Sequence, residues 1–455
     1  MTQSKNIKSN FMKYIYIALL MLFTVTGTYA QEQSHSFTLE EAIAFALENN
    51  YSAINADRDL LDAKKQKWET IATGLPQIDG AVSYQNQLKQ PVSLLPGELA
   101  GQEPGTFIPI VFGQPQTANA TATLKQQIFD GSYIVGVQAA KTFIAYSNNN
   151  KEKTELQVRK SVVEAYGNVL LSQESVAILE KNKANLEKNL FETQKLFENG
   201  LGDEESVEQL QITLSSVDNQ LKNSLRLESI TLQMLNLIMG LDIEAPTKLK
   251  ENLSDLAQAQ IRLDLLEEDL VLDNNIDFKI INNLNQQREL ELKLQKSLAL
   301  PTLNAFVNYG STSYSDKFNF LSNDTQWFDS SVLGLDLHIP IFSSLGRSAK
   351  TARAKIALEK AKTQMSETEQ NIRLQHKTAK SNYLFSIEEY NTASDNLALA
   401  ERIEHKNEVK YTEGLASSFE LRQAQTQLYN AQQEYLQSMV QVINNKTELE
   451  TVLNR

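Results

Sequence analysis

Two long stretches without proline restrict what this chain can fold into more than any other feature of its sequence. Gly131 and Gly200 bound a stretch of about 70 residues without proline, and Gly346 and Gly414 bound a second one. At a rise of about 1.5 Å per residue, each stretch is predicted to form one helix about 100 Å long. Helices in ordinary globular proteins are several-fold shorter. The sequence therefore predicts an elongated, mainly helical protein.

The two stretches belong to two copies of one repeated unit. Three pairs of segments match in the same order: 75–84 with 300–309, 124–131 with 337–344, and 197–201 with 411–415. The third match continues as apolar positions that alternate three and four residues apart, at Val207, Leu210, Leu214, Val217 and Leu221 and at Leu421, Ala424, Leu428, Ala431 and Tyr435. This spacing is typical of coiled-coil packing. The match in register favours a duplicated helical hairpin.

Return helices are predicted to complete both copies. In the first copy they cover 203–239 and 263–299, on either side of an irregular belt that contains Pro246. In the second copy they cover 417–453 and 38–73. The predicted organisation is a leader, 1–30, a first repeat, 31–241, a belt segment, 242–262, and a second repeat, 263–455.

Four long strands are predicted at one end of the two repeats, over 76–88, 117–129, 301–313 and 329–341. The first pair is joined by a loop, 87–116, and the second by a shorter loop, 314–328. Apolar and polar residues alternate along the strands, which suits a barrel with lipid outside and water inside. Four strands cannot close such a barrel, and open edges are not tolerated in lipid. Three chains would supply twelve strands, enough for a channel.

Aromatic residues cluster near the predicted strand ends, and they are Tyr84, Phe129, Tyr309, Trp327 and Phe328. Their placement suits the aromatic girdle of an outer-membrane barrel. The alternative interpretation of the strands is a soluble four-stranded sheet that caps a helical rod.

The first thirty residues have the pattern of a secretory signal. A basic segment is followed by a short apolar run, 14–23, and small residues precede a cleavage site before Gln31. The alternative is an N-terminal membrane anchor, but the apolar run is shorter than the roughly 20 residues that cross a bilayer as a helix. We therefore expect a mature protein beyond the inner membrane.

Charge and cysteine content exclude several classes of function. The formal net charge is −13, which argues against a nucleic-acid-binding protein. The chain has no cysteine, so disulfides, zinc–thiolate sites, thiol catalysis and a lipid attached to cysteine are excluded. The four histidines show no metal-binding spacing, and the sequence has no phosphate-binding loop, nucleophile elbow or dinucleotide fingerprint. We predict no cofactor and no enzymatic activity.

Together these features resemble the TolC-like outer-membrane factor family, also called outer membrane efflux proteins. The resemblance covers nearly all of residues 37–453 and rests on the segment 37–43, the paired Leu-Pro and Ile-Phe motifs of the strands, and the paired Gly-Leu turns. It implies a mainly α fold with a membrane β-barrel part, in which a homotrimer closes a 12-stranded β-barrel and a 12-helix α-barrel. It also implies outer-membrane lipid around the barrel, helices in the periplasm, and two partners, a periplasmic adaptor and an inner-membrane pump. Many relatives carry a lipid-modified cysteine at the mature start, and this chain has none.

The resemblance assigns functional roles to the two turns at the far ends of the long helices, 200–203 and 414–417. Adaptor docking is expected at Gly200, Leu201, Gly202, Gly414, Leu415 and Ala416. Acids follow the first turn, at Asp203, Glu204, Glu205 and Glu208, and they suit either a favourable helix start or an acidic constriction. Glu420 is expected to line the periplasmic entrance. Gln423 occupies the next position at which the family has an acid, so the ring of charge is expected to be weaker there.

The resemblance thus implies a passive outer-membrane exit duct of a tripartite efflux or type I secretion system. The alternative from another class is a soluble periplasmic coiled-coil adaptor or scaffold without channel activity. Such an adaptor would need a small all-β domain between its helices, and no stretch of that composition is present. The sequence does not identify the transported substrate, the pump, the gating trigger or the ion selectivity.

Overall fold

The computed structural model describes residues 35–455, so the predicted signal peptide lies outside the described residues. The strands are β1 (His35–Phe37), β2 (Gln77–Asn86), β3 (Val92–Pro96), β4 (Phe107–Val111), β5 (Gln116–Phe129), β6 (Thr247–Leu249), β7 (Thr302–Ser315) and β8 (Phe328–His338). The helices are α1 (Leu39–Asn49), α2 (Tyr51–Ala72), α3 (Gly131–Glu198), α4 (Glu204–Met239), α5 (Leu253–Ala259), α6 (Ile276–Ser297), α7 (Gly346–Thr412) and α8 (Ser418–Leu453). None of the helices in residues 35–455 is long and apolar enough to cross a membrane.

The two long helices predicted from the proline-free stretches are confirmed. α3 has 68 residues and α7 has 67. Both end at a glycine in the left-handed region, Gly200 with φ 74° and Gly414 with φ 72°. A residue with a side chain adopts this conformation only at a cost, so glycine is the natural terminator of such a helix.

The chain forms two compact units, and each contains segments of both sequence repeats. The coiled-coil unit comprises the residues up to Asn55 together with Thr154–Val271 and Arg373–Arg455. The strand unit comprises Ala56–Lys153 and Leu272–Ile372. The long helices α3 and α7 each pass from one unit into the other, so the compact units cut across the repeats.

The coiled-coil unit is built around an extensive hydrophobic core. Its largest fully buried side chains include Tyr166, Leu235, Met239, Leu253 and Ile443. The Tyr166 hydroxyl donates a hydrogen bond of 3.1 Å to the Phe37 carbonyl, which satisfies its polar atom inside the core. Burying a side chain of this size stabilises the fold by about 1.5–3 kcal/mol. The core therefore holds the unit together from within one chain.

The irregular belt is longer than the sequence predicts. A helix was expected from residue 263, but α6 begins at Ile276, and two short 3₁₀ turns occupy Leu263–Glu267 and Leu272–Asn274. The reason lies in tertiary contacts. The Arg262 N–H donates to the Tyr383 hydroxyl at 2.8 Å, and that hydroxyl donates to the Gln260 carbonyl at 2.7 Å. These bonds fix a non-helical backbone that local propensity does not anticipate.

The helix predicted over 38–73 is interrupted at Asn50. The Asn50 side-chain amide donates to the Ile238 carbonyl at 2.7 Å, and its side-chain oxygen accepts from the Ser52 N–H at 2.8 Å. Gly240 lies directly against this break, because a Cβ on Gly240 would lie 2.2 Å from the Asn49 carbonyl oxygen. Close packing of two backbones therefore divides the helix into α1 and α2.

The strand unit contains a four-stranded antiparallel sheet in the order β2-β5-β7-β8. β2 and β8 are therefore its edge strands. The segment 87–116, predicted as a loop, contains a separate hairpin of β3 and β4, paired from Val92 with Val111 to Pro96 with Phe107. The prolines of this segment favour a loop, and for that reason the two short strands were not predicted from the sequence.

Candidate functional site

The register of the sheet separates its residues into two faces. Residues paired across neighbouring strands lie on the same face, and residues next to each other along a strand lie on opposite faces. One face is largely apolar and carries Ile78, Val82, Tyr84, Leu124, Val307, Tyr309, Leu333, Leu335 and Leu337. The other is largely polar and carries Asp79, Ser83, Asn119, Thr121, Thr123, Lys125, Asn304, Asn308, Thr312 and Asp336. The sheet is thus amphipathic.

Side-chain hydrogen bonds join neighbouring strands on the polar face. The Asn308 amide donates to Thr123 Oγ1 at 2.8 Å, and Thr312 Oγ1 donates to Asn119 Oδ1 at 3.1 Å. On the apolar face the large side chains remain exposed: Leu333 is 77% and Leu335 is 72% accessible. Exposed leucines in this number are unfavourable in water, since each square ångström of apolar surface costs about 25 cal/mol.

The residues expected to form an aromatic girdle do not share one face. Tyr84 and Tyr309 lie on the apolar face. Phe328 pairs with Thr312 and so lies on the polar face, where its ring is 6.3 Å from that of Tyr314. Phe328 therefore does not fit a girdle on the lipid-facing side. Its position near a strand end could be predicted from the sequence, but its face depends on the register of the strands.

Phe129 and Trp327 lie at opposite ends of the strands. Phe129 follows an irregularity in the pairing of β5 with β7 and is opposite Leu303, which pairs with Leu337 of the apolar face. Trp327 immediately precedes β8.

Tyr84 belongs to an aromatic cluster that the sequence pattern does not predict. The Tyr84 ring lies 5.3 Å from Phe318 and 5.8 Å from Phe320, and the two phenylalanine rings are 5.8 Å apart. Phe320 is buried although it belongs to a loop. The high aromatic content of the loop 314–328 was the available signal, but nothing in the sequence pairs that loop with β2.

The first turn is closed by its own backbone and by Asp203. The Leu201 N–H donates to the Leu196 carbonyl at 2.9 Å, and Leu201 itself is 77% exposed. Asp203 caps α4, since its carboxylate accepts from the Ser206 N–H at 2.7 Å and from the Ser206 hydroxyl at 2.9 Å. The Ser206 backbone amide holds the pKa of Asp203 below its usual value. Asp203 therefore has a structural role at this turn.

The other acids of the first turn lie on the exposed start of α4. Glu204, Glu205 and Glu208 are exposed, and the Glu205 carboxylate accepts from the Gln209 amide at 2.9 Å. Gly202 packs closely against the backbone, since a Cβ there would lie 3.2 Å from the Phe197 nitrogen.

The second turn is built in the same way, with a capping box in place of the aspartate. The Leu415 N–H donates to the Lys410 carbonyl at 2.7 Å, and Leu415 is 78% exposed. Ala416 follows and is half-buried. The Ser417 hydroxyl accepts from the Glu420 N–H, while the Glu420 carboxylate accepts from the Ser417 N–H at 2.8 Å. One oxygen of Glu420 is thus committed to the helix start.

The electrostatics around Glu420 follow from this box. The Ser417 backbone amide holds the pKa of Glu420 below its usual range, so this exposed carboxyl stays charged at neutral pH. Gln423 is exposed one turn further along α8 and borders a groove of about 760 Å³ that Phe419 and Arg422 also line. The Arg422 guanidinium lies 5.4 Å from the Phe419 ring centre. Arg422 is a cation beside the expected acidic position, and no sequence pattern distinguishes it.

Hydrogen bonds join the two turns within one chain. The hydroxyls of Ser206 and Ser418 lie 2.9 Å apart, which connects the start of α4 to the start of α8. The hydroxyls of Thr193 and Tyr411 lie 2.8 Å apart and connect the ends of α3 and α7. The structure therefore brings together the two turns that the sequence shows only as repeats.

A polar cluster lies further from the turns, where α7 meets α8. Gln425 is buried, and its side-chain oxygen lacks a hydrogen-bond partner. Burial, and then the neighbouring charge of Glu408, raise the pKa of Glu404, which also bonds to Gln425. Burial of the Tyr429 side chain likewise raises the pKa of its hydroxyl. Periodicity assigned this region to an apolar seam and gave no signal for the buried polar groups.

Two histidines of α7, His376 and His405, have different surroundings. Burial, and then the charge of Lys380, lower the pKa of His376. His405 is exposed, with Nδ1 3.7 Å from the Glu408 carboxylate. Within residues 35–455 no group of three or more histidine, aspartate or glutamate side chains is arranged to hold a metal ion.

The second half of the chain is similar to a known protein family. Residues 269–455 match the family model described as outer membrane efflux protein. The alkaline protease secretion protein AprF of Pseudomonas aeruginosa is 22% identical over 250 residues, which are 53% of this chain and 50% of that protein. The match thus spans about half the length of this relative.

Comparison with solved structures covers almost the whole chain. The outer membrane protein VceC of Vibrio cholerae matches with a TM-score of 0.70 at 16% identity, over 91% of this chain and 96% of that one. The CmeC outer membrane channel of Campylobacter jejuni matches with a TM-score of 0.72 at 17% identity, over 91% and 85% of the two chains. At these identities the comparison establishes a shared fold.

Proposed function

We propose that this chain is a passive exit duct of a tripartite efflux or type I secretion system, because residues 269–455 match the outer membrane efflux protein family and the fold is that of TolC-like outer-membrane channels. In this proposal the chain forms the channel, and an inner-membrane pump supplies the energy. The substrate passes through without chemical change, so the protein acts without a catalytic centre.

The observation that carries the proposal is the amphipathic sheet with two open edges. Its apolar face exposes leucines, its polar face is joined by hydrogen bonds, and β2 and β8 each leave one side unpaired within the chain. Lipid favours the apolar face, water favours the polar face, and a membrane does not tolerate the free edges. Pairing of β2 of one copy with β8 of the next satisfies all three requirements.

We propose a homotrimer, because three chains supply the twelve strands of a barrel wide enough for a channel. The apolar face then contacts outer-membrane lipid, with Tyr84 and Tyr309 among the aromatic side chains near the lipid. The helices lie in the periplasm. The protein is held without a lipid on cysteine, since the chain has no cysteine.

The turns are the proposed contacts with a periplasmic adaptor. Leu201 and Leu415 are the exposed apolar residues at their tips, and each follows a glycine that ends a long helix. An exposed leucine at the end of a helical hairpin offers a small apolar anchor that a partner can cover. Gly200, Gly202 and Gly414 are exposed beside these anchors, and Ala416 is half-buried.

Glu420 is the proposed lining of the periplasmic entrance, with Gln423 on the next turn. One carboxylate oxygen caps α8, so the other remains to face a pore. Three copies of a charged carboxylate would favour cations, and three copies of the neighbouring Arg422 would oppose that preference. The remaining acids at Glu204, Glu205 and Glu208 add negative charge at the other turn.

The proposal is tested first by the native mass and conductance of the mature protein extracted from outer membranes in detergent. A trimer that forms ion-conducting pores in planar bilayers is the expected result. A periplasmic monomer or dimer that conducts nothing would contradict the duct and support the soluble scaffold instead.

The entrance is tested by Glu420→Gln, which keeps the hydrogen-bonding shape of the cap and removes its charge. We expect a lower preference for cations over anions in bilayer recordings. Glu413→Gln is the matched control, because it removes one exposed carboxylate near the same turn without touching α8. Equal ion selectivity in the wild-type protein and both variants would contradict a position of Glu420 at the entrance.

The docking sites are tested with single cysteines at Leu201 and Leu415, which are unique labels in a cysteine-free chain. Site-specific crosslinking to a co-expressed adaptor is expected from both positions. Leu321 in the loop 314–328, which is 90% exposed, serves as the control. Crosslinking from Leu321 alone would place the adaptor elsewhere.

A further inference from the structure

The two connections from strand to long helix differ, although the sequence repeats match there. At the first connection, between β5 and α3, Asp130 caps the helix through the Ser132 N–H at 2.7 Å. Gly131 is packed beneath Leu300, since a Cβ on Gly131 would lie 2.8 Å from that side chain. The matched apolar pair of this connection, Ile128 and Phe129, is 55% and 42% exposed, less than its counterpart in the second connection.

The second connection, between β8 and α7, exposes its apolar side chains to solvent. Ile341 is 88%, Phe342 is 81% and Leu345 is 77% exposed, and we call the segment 339–345 the apolar spur. The chain turns at its end through two successive residues in the left-handed region, Ser344 with φ 48° and Leu345 with φ 64°. Neither residue is a glycine, so the turn is strained.

Arg347 holds the spur in this shape. Its guanidinium donates to the Pro340 carbonyl at 2.7 Å and to the Ile341 carbonyl at 3.3 Å, and its Nε donates to Ser343 Oγ at 3.2 Å. The arginine takes the inner side of the turn and leaves the apolar side chains outside. Three hydrogen bonds to one strained turn indicate a fixed protrusion.

The helix that follows the spur begins with an unusual concentration of positive charge. Residues 346–362 contain six lysines and arginines and a single acid. The dipole of a helix disfavours a cation in its first turn, where Arg347 lies, so the dipole does not explain a cation at the start of this helix. Lys350 and Arg353 are exposed, and Arg353 lies about 10 Å along the helix from Gly346. Each headgroup layer of a bilayer is about 5–7 Å thick, which brings both residues within reach of it.

The spur also continues the apolar face of the sheet. Leu333, Leu335 and Leu337 lie on that face, and Ile339 and Ile341 extend the same alternation beyond the end of β8. A surface that joins exposed apolar side chains to cations just beyond them matches an anionic membrane surface.

We propose that the apolar spur inserts into the periplasmic leaflet of the outer membrane, and that Lys350 and Arg353 bind its anionic phosphate headgroups. This anchor rests on the proposed function, since it requires the sheet to span the membrane. It gives the chain an attachment to the inner leaflet that needs no lipidated cysteine.

Tryptophan fluorescence tests the anchor in the full mature protein. Trp68 and Trp327, the two tryptophans of the chain, are replaced by phenylalanine, and one tryptophan is placed at Ile341. The reporter is read in vesicles of phosphatidylethanolamine and phosphatidylglycerol with brominated lipid as one quencher and acrylamide as the other. Leu335→Trp is the reference for lipid on the sheet, and Leu415→Trp is the reference for water.

The expected result is lipid quenching at position 341 at least half as strong as at 335, with acrylamide quenching several-fold weaker than at 415. The double change Lys350→Glu with Arg353→Glu should reduce the lipid quenching at 341 about two-fold. Lys360→Glu with Lys362→Glu is the matched control on the same helix, about 20 Å from Gly346, and should leave it unchanged.

Each other outcome overturns a defined part of the proposal. Lipid quenching at 335 with only acrylamide quenching at 341 removes the spur from the membrane and leaves the duct intact. Shielding of 341 from both quenchers shows that a second copy of the chain covers the spur. An effect of the Lys360/Lys362 change equal to that of the Lys350/Arg353 change removes the headgroup contact. Loss of lipid quenching at 335 itself contradicts the proposed function.

Discussion

The coiled-coil unit and the strand unit solve the problem of apolar surface in opposite ways. The coiled-coil unit buries Tyr166, Leu235 and Ile443 in a core made by one chain. The strand unit exposes Leu333 and Leu335 on the apolar face of its sheet. The first unit is stabilised mainly from within, whereas the second needs surroundings that the single chain does not supply.

The two units also differ in net charge. The described residues of the coiled-coil unit contain fifteen more acids than bases, whereas acids and bases in the strand unit are equal in number. The acidic character of the whole protein therefore belongs to one unit. Net charge computed over the whole chain conceals the neutral strand unit and its basic segment, 346–362.

The largest expected effect comes from placing a charge on the apolar face of the sheet. Leu124→Lys should abolish assembly in the membrane, because a lysine on the lipid face costs about 2–4 kcal/mol in each copy near the bilayer midplane. The yield of detergent-resistant oligomer from outer membranes measures this. Thr121→Lys is the control on the polar face of the same strand and should retain the oligomer. Equal losses in both variants would mean that the two faces are not distinguished by lipid.

The next effect tests the core of the coiled-coil unit. Leu235→Ala should lower the free energy of unfolding by about 2–5 kcal/mol, because it leaves a cavity in a fully buried site. Leu335→Ala removes the same atoms from the exposed apolar face and should change it far less in detergent. Denaturant titration followed by circular dichroism measures both. A larger loss for Leu335→Ala would reverse the contrast between the two units.

A third comparison uses two glycines that share a backbone conformation. Gly240 has φ 81° and Gly414 has φ 72°, so alanine at either should cost about 1–2 kcal/mol from the left-handed conformation alone. Gly240→Ala should cost more, because its Cβ would lie 2.2 Å from the Asn49 carbonyl oxygen, whereas nothing lies within 4 Å at Gly414. The difference in melting temperature between the two variants checks this. Indistinguishable values would show that the α1–α2 break can move away from Gly240.

The smallest effects concern two glutamates whose pKa values are shifted in opposite directions. Burial raises the pKa of Glu404, so its charged form destabilises the fold at neutral pH. Glu404→Gln should raise the melting temperature at pH 7, and the gain should disappear as the pH falls below the usual value of 4.5. A gain that persists at pH 3 would have a cause other than this charge.

Glu420 should behave in the reverse sense. Its pKa is lowered by the Ser417 amide, so its charged form stabilises the fold above pH 4.5 and the contribution is lost as the pH falls further. Glu420→Ala should therefore lower the melting temperature at pH 7 and have less effect at pH 3. A loss that is equal at both pH values would assign it to helix propensity and not to the charged cap.

The long helices, their terminating glycines and the four amphipathic strands could all be predicted from the order of the residues. These features depend on local chemistry. A proline-free stretch with coiled-coil spacing forms a helix, and a Gly-Leu turn ends it, as α3 and α7 show. The resemblance built on these features agreed with the fold found by comparison.

The face of each aromatic residue, the extent of the belt, the contact between the turns and the shape of the spur depend on long-range contacts. Register fixed the polar position of Phe328, the Tyr383 hydroxyl fixed the irregular residues after Gln260, and Ser206 met Ser418 across more than 200 residues. Such contacts depend on residues far apart in the chain. A local pattern reports the period of a segment, but it does not report which distant group that segment will meet.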